Sequence, residues 1–400
     1  MKNRKIHFLG DRVLWVSLAL LSIFSFLPVF SASSNLTYVV GQGTPWSHLF
    51  KHFIVMVFGF VLMYSIHKTP YQYFKGISIL ALPLVIFLLI YTATQGNVIA
   101  GANANRWIRI PIVGLSFQTS TLAGIVLLAY VAHLMSKDNP KLFRLQSSVL
   151  PLWMPVFLVV LLILPSNLST AVLLFSMVLL LVFLGGYPIK YLLGMMSVGL
   201  IMAVFFVLVA KAYPDLVPNR IDTWMSRIEN FNNADSTGNY QIERAKTAIA
   251  TGGILGQGAG KSVMKNFLPQ STSDFIYAII VEEFGLVGGS ALILLYVIIL
   301  FRIVVIAHRS DTVYGKLLVL GLGLPIIIQA FVNIAVALQV FPVTGQTLPL
   351  ISSGGTAAWM TCISFGMILS VSAGQKVAEA DSEEIQEKNE NPLIILSETL

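Results

Sequence analysis

The chain has 400 residues, of which 56% are hydrophobic and only 11% are charged, and its 25 Lys and Arg against 18 Asp and Glu give a formal charge of +7. Charged side chains make up about a quarter of an ordinary globular sequence, so a water-soluble domain of this length could not hide so much apolar surface, and lipid is the expected solvent. The basic residues are scattered between apolar runs without forming a stripe, which argues against a nucleic-acid partner, and the single cysteine, Cys362, excludes an intrachain disulfide or a cysteine-based metal site.

A membrane-crossing helix needs about 20 predominantly apolar residues. Ten stretches qualify, near 12–31, 50–67, 74–94, 119–136, 148–164, 168–186, 189–211, 274–306, 314–340 and 355–374. They predict an all-α polytopic bundle of about ten transmembrane helices. The first follows Lys2, Arg4 and Lys5 and precedes Ser31-Ala32-Ser33, a pattern shared with cleavable signal peptides. Because so many spans follow, it is read as a retained span.

Alternate connections collect Lys and Arg: the N-terminus, the loop with Lys68 and Lys75, the loop with Lys137, Lys141 and Arg144, Lys190, and the segment with Arg302, Arg309 and Lys316. The positive-inside rule makes that face cytoplasmic, with both termini, and the membrane an inner membrane. The connections 32–49, 165–167 and 341–354 carry no Lys or Arg and fall on the outer side. Two longer outer loops break the pattern: 95–118, with Arg106 and Arg109, and the large extracytoplasmic loop 212–273 between spans 7 and 8. Long loops translocate largely regardless of charge, so their cations ask for a functional explanation. The predicted organisation is thus 1–211 for spans 1 to 7, 212–273 for the large outer loop, 274–375 for spans 8 to 10 with outer loop 341–354, and 376–400 for an acidic, disordered cytoplasmic tail. No internal repeat supports an inverted-repeat transporter.

Four blocks in the outer segments and span ends stand out: Gly101 to Ser120 (GANANRWIRIPIVGLSFQTS), Pro165 to Ala171 (PSNLSTA), Tyr240 to Gly288, and Pro342 to Thr356 (PVTGQTLPLISSGGT). In this order the chain resembles the SEDS family (shape, elongation, division and sporulation) over nearly its whole length. The resemblance implies polymerisation of peptidoglycan glycan strands from lipid II, with the growing strand on undecaprenyl diphosphate. It also implies a class B penicillin-binding protein as partner, with other divisome membrane proteins, since general likeness is greatest to the division branch. A lipid II flippase and a catalytically inactive divisome scaffold are the alternatives.

Within Ser273-Asp274-Phe275-Ile276-Tyr277, Asp274 matches the aspartate that the family uses in catalysis. It also stands where an outer loop enters an apolar run, partly withdrawn from water, as a general base requires. A helix N-cap is the structural alternative. Glycosyl transfer further needs cations for the departing diphosphate. The outer loops offer Lys261 and Lys265 after a glycine run, Arg244 and Lys246 after Tyr240-Gln241, and Arg106 and Arg109 around Trp107. Each could equally be a solvated or headgroup-facing charge. Gly256 to Ser262 is not a P-loop, because three residues separate Gly256 from Gly260-Lys261 where four are needed.

Glu282 and Glu283 follow Asp274 by eight and nine residues, about 12–14 Å along a helix of 1.5 Å rise. They are therefore expected inside the bilayer, with Glu282 about 80° and Glu283 about 180° from the Asp274 direction, so that only Glu282 shares its cavity. A structural hydrogen-bonding role is favoured over proton relay. The resemblance sets the tightly turned loop bearing Gly345, Pro349, Ser352, Gly354 and Gly355 beside the catalytic cavity. It also exposes departures: Thr121 and Gly124 stand where the family has Glu and Lys, Asn167 and Ser169 where it has Asp and Gly, and Gln270 and Thr272 where it has Glu and His. These losses are read as a divergent lineage. No cofactor is required, and a divalent cation is admitted without an assigned ligand set.

Overall fold

Backbone crossing lipid must satisfy its own hydrogen bonds, and the apolar runs do so as helices. In the computed structural model, residues 10–390 are described apart from 39–42, 95–97, 100–101, 104–106, 111–114, 138–142, 213–220, 233–239 and 269–270. Helices α1 (Arg12–Tyr38), α2 (Pro45–His67) and α3 (Tyr73–Thr94) come first, followed by strands β1 (Val98–Ile99), β2 (Ala102–Asn103), β3 (Trp107–Ile110) and β4 (Leu115–Gln118). Next are α4 (Thr119–Met135), then α5 (Leu145–Ser148) joined through a π turn at Val149–Trp153 to α6 (Met154–Ile163), then α7 (Leu168–Leu184) and α8 (Ile189–Ala212). The chain continues through α9 (Ile221–Asn232), α10 (Tyr240–Gly252), α11 (Ile276–Arg309), α12 (Val313–Ala337) and α13 (Thr356–Glu390).

Among the described residues, eight helical stretches are long and apolar enough to cross a membrane, with α5 and α6 counting as one, and α4 and α7 add two shorter apolar helices. These ten correspond to the ten expected spans, and the protein is a multi-pass membrane protein. The two long loops hold more structure than the sequence suggested. The 95–118 loop contains two antiparallel hairpins, β1 with β2 and β3 with β4, and the 212–273 loop contains α9 and α10. The expected disordered tail is also corrected in part, since α13 runs on to Glu390. Residues 376–390 are rich in Ala, Glu, Gln and Lys, all strong helix formers.

Helices in lipid gain little from hydrophobic transfer and associate by close packing. Burial accordingly concentrates in α12 and α13, where 61% and 72% of the apolar window is inside the bundle, against none for α8. Helix α1 also belongs to the core through Leu14, Leu18 and Leu21. At one end of the bundle, Arg302 of α11 pairs with Asp11, its Nε donating to Oδ1 at 3.1 Å. There too, Gln375 of α13 donates to the Ile306 carbonyl at 2.9 Å. The start of α1 and the end of the apolar part of α13 therefore share one face.

The long α11 is two helices. Gly285 has φ 68° and ψ −173°, a conformation essentially restricted to glycine. The break frees backbone groups that the segment after α10 takes up: Gln257 and Gly258 donate to the carbonyls of Glu282 and Glu283 at 3.0 and 2.9 Å, and Leu286 donates to the Gly253 carbonyl at 2.9 Å. Beyond the break, the helix to Arg309 is about 36 Å long at 1.5 Å per residue, enough to cross the bilayer unaided. Glu282 and Glu283 lie in the short helix before the break.

Candidate active site

Asp274 lies where the end of the 212–273 loop meets the 341–354 loop. The Ser352 hydroxyl donates to the Ser273 carbonyl at 2.6 Å and accepts from Leu348 N at 2.8 Å, and Ser353 N donates to the Thr272 carbonyl at 2.9 Å. From α12, the amide of Asn333 donates to the carbonyls of both Asp274, at 2.8 Å, and Gln346, at 2.6 Å. Asn333 is 1% exposed, so these bonds form away from water, where leaving either carbonyl unpaired would cost about 1–3 kcal/mol. Gln346 in turn donates to Thr170 at the start of α7 at 3.0 Å. Four segments thereby fix the backbone around one half-buried carboxylate.

Asp274 is not the helix cap. Helix α11 starts at Ile276, and Phe275 holds the cap position without a side-chain bond. Instead the carboxylate faces the 342–346 turn. A Cβ built on Gly345 would stand 3.6 Å from Asp274 Oδ2 and 3.8 and 4.0 Å from the two terminal nitrogens of Arg227. Gly345 has φ +70°, so a side chain there would be strained even though its Cβ would meet these atoms at ordinary contact distance. Arg227, on α9, donates through Nη1 to the Val343 carbonyl at 3.1 Å.

Arg227 is not among the residues expected from sequence. A signal was available: Trp224, Arg227, Ile228 and Phe231 recur at helical spacing, and Trp224, Arg227 and Phe231 are half-buried while Met225, Ser226 and Glu229 are exposed. A charged residue on the packed face of an amphipathic helix needs a partner. Asn333 was missed for another reason. It sits in an apolar run, and nothing in its neighbours specifies the two carbonyls it joins.

Of the expected site residues, Gly345, Pro349, Ser352, Gly354 and Gly355 all belong to the loop between α12 and α13. The Pro349 carbonyl accepts from Tyr296 at 2.6 Å, Gly354 N donates to the Ser352 carbonyl at 2.7 Å, and Gly355 has φ +53°. Lys265 is engaged elsewhere, with Nζ donating to the Gly260 carbonyl at 2.7 Å and to Ser31 at 3.1 Å. The guanidinium of Arg244 lies 5.0 Å from the Tyr240 ring centre and 5.8 Å from that of Phe267, a stacking arrangement that suits arginine. Lys246 and Lys261 are exposed, and Gln241 is half-buried. Arg109 is paired with Ser116 in the β3–β4 hairpin, whose β4 packs against α13. Arg106 lies outside the described residues.

Glu282 does not turn toward Asp274. Its carboxylate accepts from the Ser262 hydroxyl and from the amides of Val263 and Met264, the last two at 2.9 and 3.2 Å. Glu283 accepts from the Ser31 hydroxyl of α1. The two acids brace the 256–265 segment against the broken helix, in keeping with a structural role. The helical angles expected from Asp274 do not apply, because Asp274 precedes the helix. The glycine run serves this same junction, since a Cβ on Gly256 would overlap the Glu283 carbonyl.

Two departures have a structural explanation. Asn167 caps α7, its side chain accepting from Thr170 N at 3.3 Å, a job that Asn and Asp do equally well. Gly124 faces α7, with Leu174 Cδ1 3.6 Å from where its Cβ would be, so a lysine there would meet a neighbouring helix. Among the described residues no group of three or more His, Cys, Asp and Glu side chains is gathered to hold a metal ion.

The family profile described as "Cell cycle protein", covering FtsW, RodA and SpoVE, matches residues 11–377. A protein of Trichlorobacter lovleyi named "Probable peptidoglycan glycosyltransferase FtsW" is 30% identical over 376 residues, 92% of this chain and 94% of that protein. One with the same name from Nitrosococcus halophilus is 28% identical over 333 residues, 82% and 84% of the two chains. Among solved structures, a chain from "Structural coordination of polymerization and crosslinking by a peptidoglycan synthase complex" is similar with a TM-score of 0.69 and 25% identity, covering 92% of this chain and 98% of its own. The rod shape determining protein RodA of Thermus thermophilus has a TM-score of 0.65 at 23% identity, covering 92% of this chain and 97% of its own. That second likeness concerns the fold.

Proposed function

The chain belongs to the cell cycle protein family of FtsW, RodA and SpoVE, and on that premise we propose that it polymerises peptidoglycan glycan strands from lipid II. The reaction takes place at the outer face of a bacterial inner membrane, during cell division, with both termini in the cytoplasm. Its partner is a class B penicillin-binding protein that cross-links the new strand. Supporting the partner is the similarity to a chain from a peptidoglycan synthase complex that couples polymerisation to crosslinking. Supporting the division role are the FtsW names of the relatives.

The observation that carries the catalytic reading is a half-buried carboxylate fixed between two outer loops and facing an arginine across a glycine turn. Asp274 takes the proton of the acceptor sugar hydroxyl, whose oxygen then bonds the anomeric carbon of the donor. The bond from that carbon to the diphosphate oxygen breaks, and the diphosphate leaves with the electron pair. The backbone bonds to Asn333 and Ser352 hold the base in place beforehand, so orientation is not lost at each turnover.

The test is reconstitution of the full chain with its penicillin-binding partner and lipid II, with glycan polymer resolved by gel. Asp274→Asn is nearly isosteric and is expected to lower polymerisation about 10²–10⁴-fold, the usual contribution of a positioned base, with unchanged thermal unfolding. Equal polymer from both proteins refutes the mechanism. Lipid translocation without polymer replaces it with a flippase.

A further inference from the structure

Arg227 combines three features in one place. It is half-buried, it reaches from the outer helix α9 to the 342–346 turn through its bond to the Val343 carbonyl, and its guanidinium shares the space over Gly345 with the Asp274 carboxylate. Two of the cations expected from sequence are occupied by other partners: Lys265 by Gly260 and Ser31, Arg244 by the rings of Tyr240 and Phe267. A guanidinium remains protonated under all physiological conditions and presents donors in a planar fork that matches phosphate oxygens.

From this placement we infer that Arg227 is a residue of the transfer site that binds the diphosphate of a polyprenyl-linked donor and stabilises the charge it gains on departure. The inference rests on the glycosyl-transfer reading above and names the group that complements the base. Asp274 stands where the proton is taken and Arg227 where the electron pair goes. The turn between them carries glycine, so that no side chain of the turn stands between the two groups. Helix α9 is linked to α8, none of whose apolar window is buried, and Trp224 of α9 meets Phe206 of α8 at 6.3 Å between ring centres. The anion-binding group is thus carried by the peripheral part of the bundle, and the base by its interior.

The experiment measures binding and turnover separately on the full-length protein in vesicles. A polyprenyl diphosphate that carries no sugar is titrated against wild type, Arg227→Gln, Arg227→Lys and Asp274→Asn, and polymerisation of lipid II is followed with the partner present. Arg227→Gln is expected to weaken diphosphate binding at least tenfold and to lower polymerisation about 10²-fold, the usual loss when one transition-state donor is removed. Arg227→Lys, which keeps the charge without the fork, is expected to weaken binding about threefold to tenfold. Asp274→Asn should bind the diphosphate within twofold of wild type while failing to polymerise. Unchanged diphosphate binding by either Arg227 variant overturns the assignment, and because lysine retains the charge, that arm holds even where glutamine unfolds the protein. Binding that depends on Arg227 in a wild-type protein that makes no polymer keeps the anion site and overturns the glycosyl-transfer reading instead.

Discussion

Helices α12 and α13 on one hand and α8 with α9 on the other are built from similarly apolar or amphipathic segments, yet the first pair supplies the bundle's interior and the second its rim. Most of the apolar windows of α12 and α13 is buried, while α8 buries none. Segments with few buried contacts open at lower free energy than the core. The difference teaches how the candidate site is assembled. Its fixed wall, with Asp274, Asn333, Ser352 and Gly345, hangs on the interior helices, whereas Arg227 arrives on the rim.

Substitutions can break or sharpen this contrast. The largest effect is expected at the junction that shapes the wall. Gly285→Ala would drive a Cβ into the Ile254 carbonyl and the Gly256 amide, backbone atoms that cannot yield, in a conformation that strains any other residue by about 1–3 kcal/mol before the clash is counted. Loss of monodisperse protein after detergent extraction is the expected outcome. Normal yield and unfolding temperature would remove the broken helix from the argument.

Next comes Leu318→Ala in α12, where the side chain is fully buried. Water-soluble cores lose about 2–5 kcal/mol for such a change. Here the unfolded reference also lies in lipid, so the transfer part largely cancels and about 1–3 kcal/mol of packing loss is expected. Leu200→Ala in α8, at 67% exposure, is the matched rim substitution and should shift stability by under about 0.5 kcal/mol. Equal shifts in thermal unfolding for the two leucines would abolish the distinction between interior and rim.

Asn333→Ala tests whether the wall holds the base. It leaves two carbonyls unpaired, each at about 1–3 kcal/mol, and should lower polymerisation about tenfold to a hundredfold while global stability falls by about 2–6 kcal/mol. A drop in stability alone, with turnover unchanged, would reduce Asn333 to a packing residue. Gly345→Ala is the mildest of the wall changes. Left-handed strain costs about 1–2 kcal/mol, and the new methyl sits in ordinary contact with Asp274 and Arg227, so a turnover loss of about tenfold with near-native unfolding is expected.

The ten spans, the two long loops rich in charge and the short motif that holds Asp274 are legible in the sequence itself. Lipid demands long apolar helices wherever the chain crosses it, a local requirement written in consecutive residues, and Asp274 stands inside a short contiguous motif. Tertiary structure alone decided the break at Gly285, the bracing role of Glu282 and Glu283, the clamp made by Asn333 and the approach of Arg227 to the base. Each depends on groups distant in the chain: Glu283 meets Ser31 across 252 residues, and Arg227 meets Val343 across 116. A carboxylate or guanidinium takes its role from the neighbour that folding delivers to it, and no periodicity around the residue encodes which neighbour that will be.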